Sequence, residues 1–131
     1  MVWIWVVLAV LVLLWLVLRM RSGGGKGIEN ITPGEVESRL KSEPQKLHII
    51  DVREPYEYSS GHISRAVNIP LGSIRNRFDE VPKDRDIVFV CRSGNRSMQA
   101  ARLAKSAGLA PIYNMKGGMM SWSGAVKKKR K

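Results

Sequence analysis

The sequence predicts an α/β fold with a mostly parallel central sheet flanked by helices on both faces, preceded by one transmembrane helix. Three observations support this prediction. Short runs of β-branched and aromatic residues, such as 87–90, alternate with segments of helical periodicity. The connections between them are short, which favours parallel strands joined by helices. A continuous apolar run at 2–18 differs in composition from everything after it.

This apolar run has no polar side-chain group other than the indole N–H groups of Trp3, Trp5 and Trp15. As a helix, residues 2–18 would be roughly 26 Å long, slightly less than the hydrocarbon core of a bilayer. A cleaved signal peptide is the alternative, but it would need a positive region before the run and a small-residue cleavage site after it. Neither is present, so we expect residues 1–21 to form a retained single-pass anchor.

Basic residues flank the apolar run on one side only. Arg19, Arg21 and Lys26 follow it, and no Lys or Arg precedes it. The positive-inside rule therefore predicts an anchor in the cell (inner) membrane with the remaining chain facing the cytoplasm. The only cysteine, Cys91, agrees with a reducing compartment and excludes an internal disulfide.

The net charge of +11 is concentrated near the two ends of the chain. The basic residues after the apolar run contribute +3 and the polybasic tail 127–131 contributes +5, which leaves +3 for a domain over 28–126. Nucleic-acid binding is not favoured, because basic and aromatic residues do not interleave across the domain. The tail could bind anionic lipids, at about 1 kcal/mol per basic residue, or could simply be solvated. The Gly-rich segment 22–27 is predicted to be a flexible linker.

Local signals predict the elements of the domain in chain order. Thr32 can cap a helix that starts at Pro33, with Glu35 completing a capping box, and this helix ends before Pro44. The later predicted elements are a buried strand at 47–51, a helical turn at 54–58, a short strand at 66–69, a helix at 71–81, a buried strand at 87–90, a helix from 98 that ends at Gly108, a strand at 111–114 and a short helix at 117–123.

The loop after strand 87–90 begins with Cys91 and leads directly into a helix. A strand that turns sharply into a helix directs several backbone N–H groups to one point, at the positive end of the helix dipole. A cysteine there should have a lowered pKa and react as a thiolate. Arg92 and Arg96 add positive charge near it. The alternative is a small buried thiol without a reactive role.

Asp51 and Arg53 follow another predicted strand, and ligand sites in such sheets lie beyond the carboxyl ends of the strands. The two residues could shape the rim of a pocket, or could make an internal contact that holds the strand end. We expect His62 to be a structural hydrogen-bonding residue rather than a general base, and Ser97 to cap the following helix. The sequence predicts neither a bound metal ion nor a cofactor.

Two blocks of the sequence together resemble the rhodanese family. The first is DVREPYEYSSGHISRAVNIP at 51–70, and the second is CRSGNRS at 91–97, followed by GGMMSW at 117–122. The likeness covers roughly 31–122. It implies a single α/β domain whose cysteine carries a persulfide sulfur between a donor and an acceptor.

The resemblance implies that the Cys91 thiolate attacks the outer sulfur of a donor such as thiosulfate, and that sulfite leaves. Loop N–H groups would hold the terminal sulfur of the persulfide, and the two arginines would orient an anionic donor. A persulfide donor would also suit this loop. With no second cysteine, the acceptor must be a separate molecule: a thiol, a protein sulfur acceptor, or cyanide in an assay. The implied substrate-binding residues are Arg92, Ser93, Gly94, Asn95, Arg96 and Ser97.

Two other functions are compatible with the same fold. A Cys-dependent phosphatase or arsenate reductase would use a Cys-x5-Arg loop, whereas the spacing from Cys91 to Arg96 is Cys-x4-Arg. The shorter loop suits a single sulfur atom better than a tetrahedral phosphate. A non-catalytic, redox-sensing module at the membrane would rely on the low-pKa thiol alone.

Overall fold

The computed structural model of the chain describes residues 1–24 and 27–128, without the side chains of 20–24. Its first element is helix α1 (Val2–Gly24), which includes three residues that the sequence assigns to the linker. The segment Val2–Arg19 has a mean hydropathy of 2.6 and is long and apolar enough to be a candidate membrane span. Arg19 lies 5.1 Å from the ring centroid of Trp15. Residues 25–26 of the linker and 129–131 of the tail lie outside the described residues.

The strands of the described residues are, in chain order, β1 (Glu29–Ile31), β2 (Leu47–Asp51), β3 (His62–Ile63), β4 (Val67–Asn68), β5 (Asp86–Val90), β6 (Ile112–Met115) and β7 (Val126–Lys127). Five of them form a parallel sheet in the order β1-β6-β5-β2-β4. Strands β3 and β7 form a separate antiparallel pair. The predicted parallel α/β architecture is therefore confirmed.

The longer helices of the domain pack on opposite faces of this sheet. They are α2 (Pro33–Ser42), α3 (Pro55–Ser60) and α4 (Asn95–Ser106). Successive side chains of a strand point to opposite faces. Accordingly, Ile87 and Phe89 of β5 are buried against the alanines of α4, while Val88 and Val90 lie in the cluster that contains Val36 of α2. Burial on both faces explains why β5 is a continuous apolar run.

Several elements differ from the sequence prediction. The predicted helix 71–81 is two 3₁₀ helices, Leu71–Asn76 and Phe78–Glu80, because this segment contains weak helix formers such as Gly72. The short helix predicted near 117–123 is the 3₁₀ helix Gly118–Ser121. Strands β1, β3 and β7 were not predicted, since two or three residues are too few to show a period-2 pattern.

Strands β2 and β5 are neighbours, and their register sets the position of the site. Asp51 lies opposite Val90 in the parallel pair. The residues that follow these strands, including Cys91, therefore meet at the same edge of the sheet. The loop between β5 and α4 starts at this edge, as the sequence predicts.

Candidate active site

Cys91 lies at the carboxyl end of β5, in the centre of the sheet, and its residue surface is 1% exposed. The Gly94 N–H donates a hydrogen bond to Cys91 Sγ at 3.0 Å. The Ser97 hydroxyl oxygen lies 3.2 Å from the same sulfur. Cys91 is thus as deeply buried as the inert-thiol alternative requires, but its sulfur faces polar donors rather than apolar atoms alone.

These donors change the acidity of the thiol. Burial by itself would raise the pKa of Cys91, since a thiolate is poorly solvated there. The Ser97 side chain beside the sulfur and the backbone N–H groups of Ser97, Gly94 and Ser93 outweigh burial, so that the pKa is lowered from its ordinary value. The sulfur therefore has the anion-binding surroundings that the sequence predicts.

The 3₁₀ helix Gly118–Ser121 orients the first peptide groups of the loop. The Met119 N–H donates to the Cys91 carbonyl at 2.8 Å, and the Met120 N–H donates to the Arg92 carbonyl at 3.0 Å. The C=O and N–H of one trans peptide point in opposite directions. The two carbonyls point towards the 3₁₀ helix, so the N–H groups of the same peptides, those of Arg92 and Ser93, point away from it. The Ser93 N–H is directed at the sulfur.

Two glycines make this arrangement possible. Gly94 has φ 105° and Gly118 has φ 60°, both in the left-handed region that side chains other than glycine rarely adopt. A Cβ atom on Gly118 would also lie 2.5 Å from the carbonyl oxygen of Arg92. The close contact between the 3₁₀ helix and the loop therefore requires glycine at 118.

Ser97 is fully buried, and its hydroxyl donates to Asn114 Oδ1 at 2.5 Å. The prediction that Ser97 caps α4 is wrong, because the helix starts two residues earlier, at Asn95, with Gly94 as its N-cap. In that position the Ser97 side chain is directed at the sulfur and at Asn114 of β6. Its backbone N–H faces the sulfur, as expected.

The two arginines of the loop have different surroundings. The Arg96 guanidinium makes two hydrogen bonds to the carboxylate of Glu57, at 2.7 and 3.0 Å. The hydrogen bond from Arg96 is the main reason that the pKa of Glu57 is lowered to about 2. Arg92 is exposed and makes no hydrogen bond or ion pair with any residue that the structure describes. Arg92 is thus the unpaired cation of the loop, whereas Glu57 largely neutralises Arg96.

Asp51 and Arg53 form a buried pair with each other. Arg53 Nη2 donates to Asp51 Oδ2 at 2.7 Å and to the Gly61 carbonyl at 2.8 Å. The Arg53 N–H also donates to Asp51 Oδ1 at 3.0 Å. Of the two roles considered for this pair, a pocket rim and an internal contact that holds the strand end, these contacts match the internal contact. The pair joins the end of β2 to the end of α3.

His62 makes the structural contacts that the sequence analysis expects. Its Nδ1 lies 2.8 Å from the Tyr58 carbonyl oxygen. Its ring stacks on the Tyr58 ring with centroids 3.7 Å apart. Within the described parts of the chain, no group of three or more His, Cys, Asp or Glu side chains could hold a metal ion.

Three residues of the site were not identified from the sequence: Glu57, Asn114 and Gly118. Glu57 lies inside the first block of the family resemblance, and Gly118 lies in the Gly-Gly pair of the second. Asn114 ends the predicted strand 111–114, where a polar residue after an apolar run was the available signal. Their partners lie far away in the chain, so the spacing of residues gave no indication of the contacts.

One surface groove lies away from this loop. It has a volume of about 580 Å³ and is lined by residues around the start of β1 and the end of α4, among them Ile28, Lys105 and Tyr113. None of the residues 91–97 lines it. We place the candidate site at Cys91 because the reactive group and its donors are there.

Comparison with known proteins shows which family the domain resembles. The family model of the rhodanese-like domain matches residues 32–125. A sulfurtransferase of Allochromatium vinosum is 36% identical over 86 residues, which cover 66% of this chain and 80% of that protein. The crystal structure of a rhodanese-related protein from Thermoplasma volcanium covers 77% of this chain and 99% of its own, with a TM-score of 0.70 and 28% identity. A rhodanese-like domain protein from Staphylococcus aureus covers 79% and 100%, with a TM-score of 0.71 and 28% identity.

Proposed function

The chain belongs to the rhodanese-like domain family of sulfurtransferases, and on that premise we propose that Cys91 carries a sulfane sulfur from thiosulfate or a persulfide to a separate acceptor. The observation that supports this most directly is the set of donors around Cys91 Sγ. The backbone N–H groups of Ser93, Gly94 and Ser97 all face it. Such preorganised donors stabilise an anion on sulfur without reorganising.

Loading transfers one sulfur atom from the donor to Cys91. The Cys91 thiolate attacks the outer sulfur of thiosulfate, a new S–S bond forms, and the bond to the sulfonate sulfur breaks. Sulfite leaves with the electron pair of that bond. The product is an anionic persulfide whose terminal sulfur is held by N–H groups of the loop.

In the unloading step Cys91 Sγ is the leaving group, whereas in the loading step it is the nucleophile. The thiolate of an acceptor attacks the terminal sulfur of the persulfide, and the Cys91 thiolate leaves. The acceptor becomes a persulfide, or thiocyanate if cyanide is the acceptor. The acceptor is a small thiol or a protein sulfur acceptor, since Cys91 is the only cysteine of the chain.

The surroundings of the loop restrict the donor. Cys91 is 1% exposed, so a donor must present its reacting sulfur on a slender group. Arg92, which is exposed and unpaired, attracts anionic donors such as thiosulfate. Arg96 contributes less to this attraction because of its bonds to Glu57. That pairing also disfavours the phosphatase alternative, in which Arg96 would have to bind the phosphate.

The proposed location of the reaction is the cytoplasmic face of the cell (inner) membrane. The apolar segment Val2–Arg19 supports an anchor by its length and its mean hydropathy of 2.6. The basic residues after it favour a domain on the cytoplasmic side. The tail 127–131 would add attraction to anionic lipids.

Mass spectrometry of the intact chain after incubation with thiosulfate tests the proposed chemistry. We expect a mass gain of one sulfur atom that disappears on addition of cyanide and is absent from the Cys91→Ser variant. Release of phosphate from a generic ester, without any sulfur gain, would instead favour the phosphatase. A thiol that is oxidised reversibly but never gains sulfur would favour the redox-sensing module.

A further inference from the structure

Asn114 is a buried polar residue with no direct part in the proposed transfer of sulfur. It lies on β6, beside β5, and is 5% exposed. Its Oδ1 accepts the hydrogen bond from the Ser97 hydroxyl at 2.5 Å, and its Nδ2 donates to the Gly94 carbonyl at 3.4 Å. A carbonyl can only accept a hydrogen bond. The Gly94 carbonyl therefore determines how the amide is oriented, with Oδ1 facing Ser97.

The Ser97 hydroxyl has one proton and two neighbouring acceptors. Ser97 Oγ lies 2.5 Å from Asn114 Oδ1 and 3.2 Å from Cys91 Sγ. While Cys91 is a thiol, its S–H can donate to Ser97 Oγ and the hydroxyl can donate to Asn114, so that every group has a partner. Once Cys91 is a thiolate, the sulfur and the amide oxygen compete for the same proton. The 2.5 Å contact is at the short end of the range for an O–H···O hydrogen bond, whereas 3.2 Å is an ordinary distance to the larger sulfur atom, so the geometry favours the amide oxygen.

Loading with sulfur removes this competition. In the persulfide, Cys91 Sγ is bonded to both Cβ and the terminal sulfur, and the negative charge lies mainly on the terminal sulfur. Sγ then carries little negative charge and is a weak acceptor for the Ser97 hydroxyl. The hydroxyl can therefore donate to Asn114 without taking a hydrogen bond from a charged sulfur. The hydrogen bond from Ser97 to Asn114 thus destabilises the free thiolate of Cys91 but does not destabilise the persulfide.

Building on the proposed function, we propose that Asn114 is a positioning residue that holds the Ser97 hydroxyl away from Cys91 Sγ and so disfavours the free thiolate relative to the persulfide. Asn114 acts through the single proton of the Ser97 hydroxyl, and not through packing. Removal of the Asn114 acceptor should therefore free the hydroxyl to donate to the thiolate.

The charged groups around the sulfur do not take part in this contact. On α4, Arg96 interacts electrostatically with Cys91, and Glu57 of α3 is its partner. Arg92 of the loop is exposed, and the 3₁₀ helix Gly118–Ser121 carries no charged side chain. Neither Arg96 nor Glu57 is hydrogen-bonded to Ser97 or Asn114. The pKa of Cys91 in suitable variants therefore reports on the Ser97 hydroxyl.

The test measures the pKa of Cys91 in the full chain from the pH dependence of its alkylation by iodoacetamide. Asn114→Leu keeps the approximate shape of the side chain but cannot accept a hydrogen bond, and Asn114→Ala serves as a second variant if the first does not fold. We expect either variant to lower the pKa by about half a unit, the size of a modest net hydrogen bond. In a Ser97→Ala background the same change should leave the pKa where Ser97→Ala alone puts it.

A merely structural role gives a different result. A loosened loop would weaken the N–H bonds to the thiolate and raise the pKa, so a rise or no change in the single variant overturns the proposal. An equal shift in the Ser97→Ala background also overturns it. As a matched control, Asn68→Leu removes a partly buried amide that donates to the Asp51 and Arg53 carbonyls, and should not change the Cys91 pKa. The pKa is measured without any sulfur donor, so a chain with the expected pattern but no sulfur gain would overturn the proposed function alone.

Discussion

At the scale of single residues, the site depends on what each polar group is bonded to. Arg92 and Arg96 are alike in sequence, but only Arg96 is paired, through its contacts at 2.7 and 3.0 Å to Glu57. Gly118 is needed because its backbone has φ 60° and packs against the carbonyl of Arg92. The two arginines therefore differ in their availability to an anion, although the sequence alone does not distinguish them.

Arg92→Ala should lower kcat/KM for thiosulfate by about threefold to tenfold at low salt, because an exposed cation increases the encounter rate with an anion. The loss should shrink at high ionic strength, where exposed charges are screened. Steady-state kinetics with thiosulfate and with a neutral trisulfide donor measure the effect. The exposed Arg102 of α4 provides the control, as Arg102→Ala should change neither rate. Equal losses for both donors in Arg92→Ala would argue against the electrostatic role.

Gly118→Ala should destabilise the domain by about 2 kcal/mol or more, because alanine is strained at positive φ and its Cβ would meet the loop backbone. Persulfide formation should fall as well, since the loop amides would lose their orientation. Gly72 offers a matched control, because a Cβ there would meet nothing within 4 Å. Gly72→Ala should be neutral in urea denaturation. If the two variants were equally stable, the close contact at Gly118 would not be required.

At the scale of secondary-structure elements, the pair Glu57–Arg96 joins α3 to the first turn of α4. Glu57 also accepts the Glu54 N–H at 3.2 Å, in the capping box of α3. The same carboxylate thus holds the start of α3 and the Arg96 guanidinium in the first turn of α4.

Glu57→Gln should lower the free energy of unfolding by about 1 kcal/mol at neutral pH, the upper range for a partly exposed ion pair. The pKa of Glu57 is about 2 in the folded chain and 4.5 ordinarily, so the unfolded chain binds the proton first on acidification. The stabilisation is therefore complete above about pH 4.5 and is lost as the pH falls towards 2. Denaturation curves between pH 2 and 7 should show the variant and the wild type converging in acid. As a control, Glu37→Gln, which removes one partner of the surface pair with Lys41, should lower the free energy of unfolding at neutral pH by less than Glu57→Gln does.

At the scale of the whole molecule, a rhodanese-like domain follows a helix that is a candidate membrane span. The tail that the sequence assigns to 127–131 begins inside the fold, since Lys127 of β7 pairs with His62 of β3. Deleting the whole tail would therefore remove a strand pairing as well as charge. Replacing the basic side chains by glutamine is the cleaner way to examine lipid binding.

The proposed anchor predicts that the full chain fractionates with membranes and resists extraction at alkaline pH. Leu8→Arg together with Leu11→Arg should release it, because each arginine near the helix centre costs about 3 kcal/mol on an insertion scale. Leu8→Ala with Leu11→Ala is the control and should remain membrane-bound. Protease added to the outside of intact spheroplasts should leave the domain uncut. Cleavage there would show that the orientation is the opposite one.

The sequence by itself determined the features that are local. The buried strand β5, the turn into α4 and the only cysteine between them are contiguous in the chain, so their residues predict the anion-binding loop without further information. The alternation of strands and helices likewise determined the parallel architecture. Short elements such as β3 and β7 could not be predicted, because they exist only through their pairing with each other.

Tertiary structure alone decided which polar side chains meet. Arg96 and Glu57 are 39 residues apart, and Ser97 and Asn114 are 17 apart. Contacts of this kind depend on how the helices pack on the sheet and leave no periodic pattern in the sequence. The sequence could thus predict a reactive sulfur at 91, whereas folding determined which cation remains free and which acceptor competes for the serine proton.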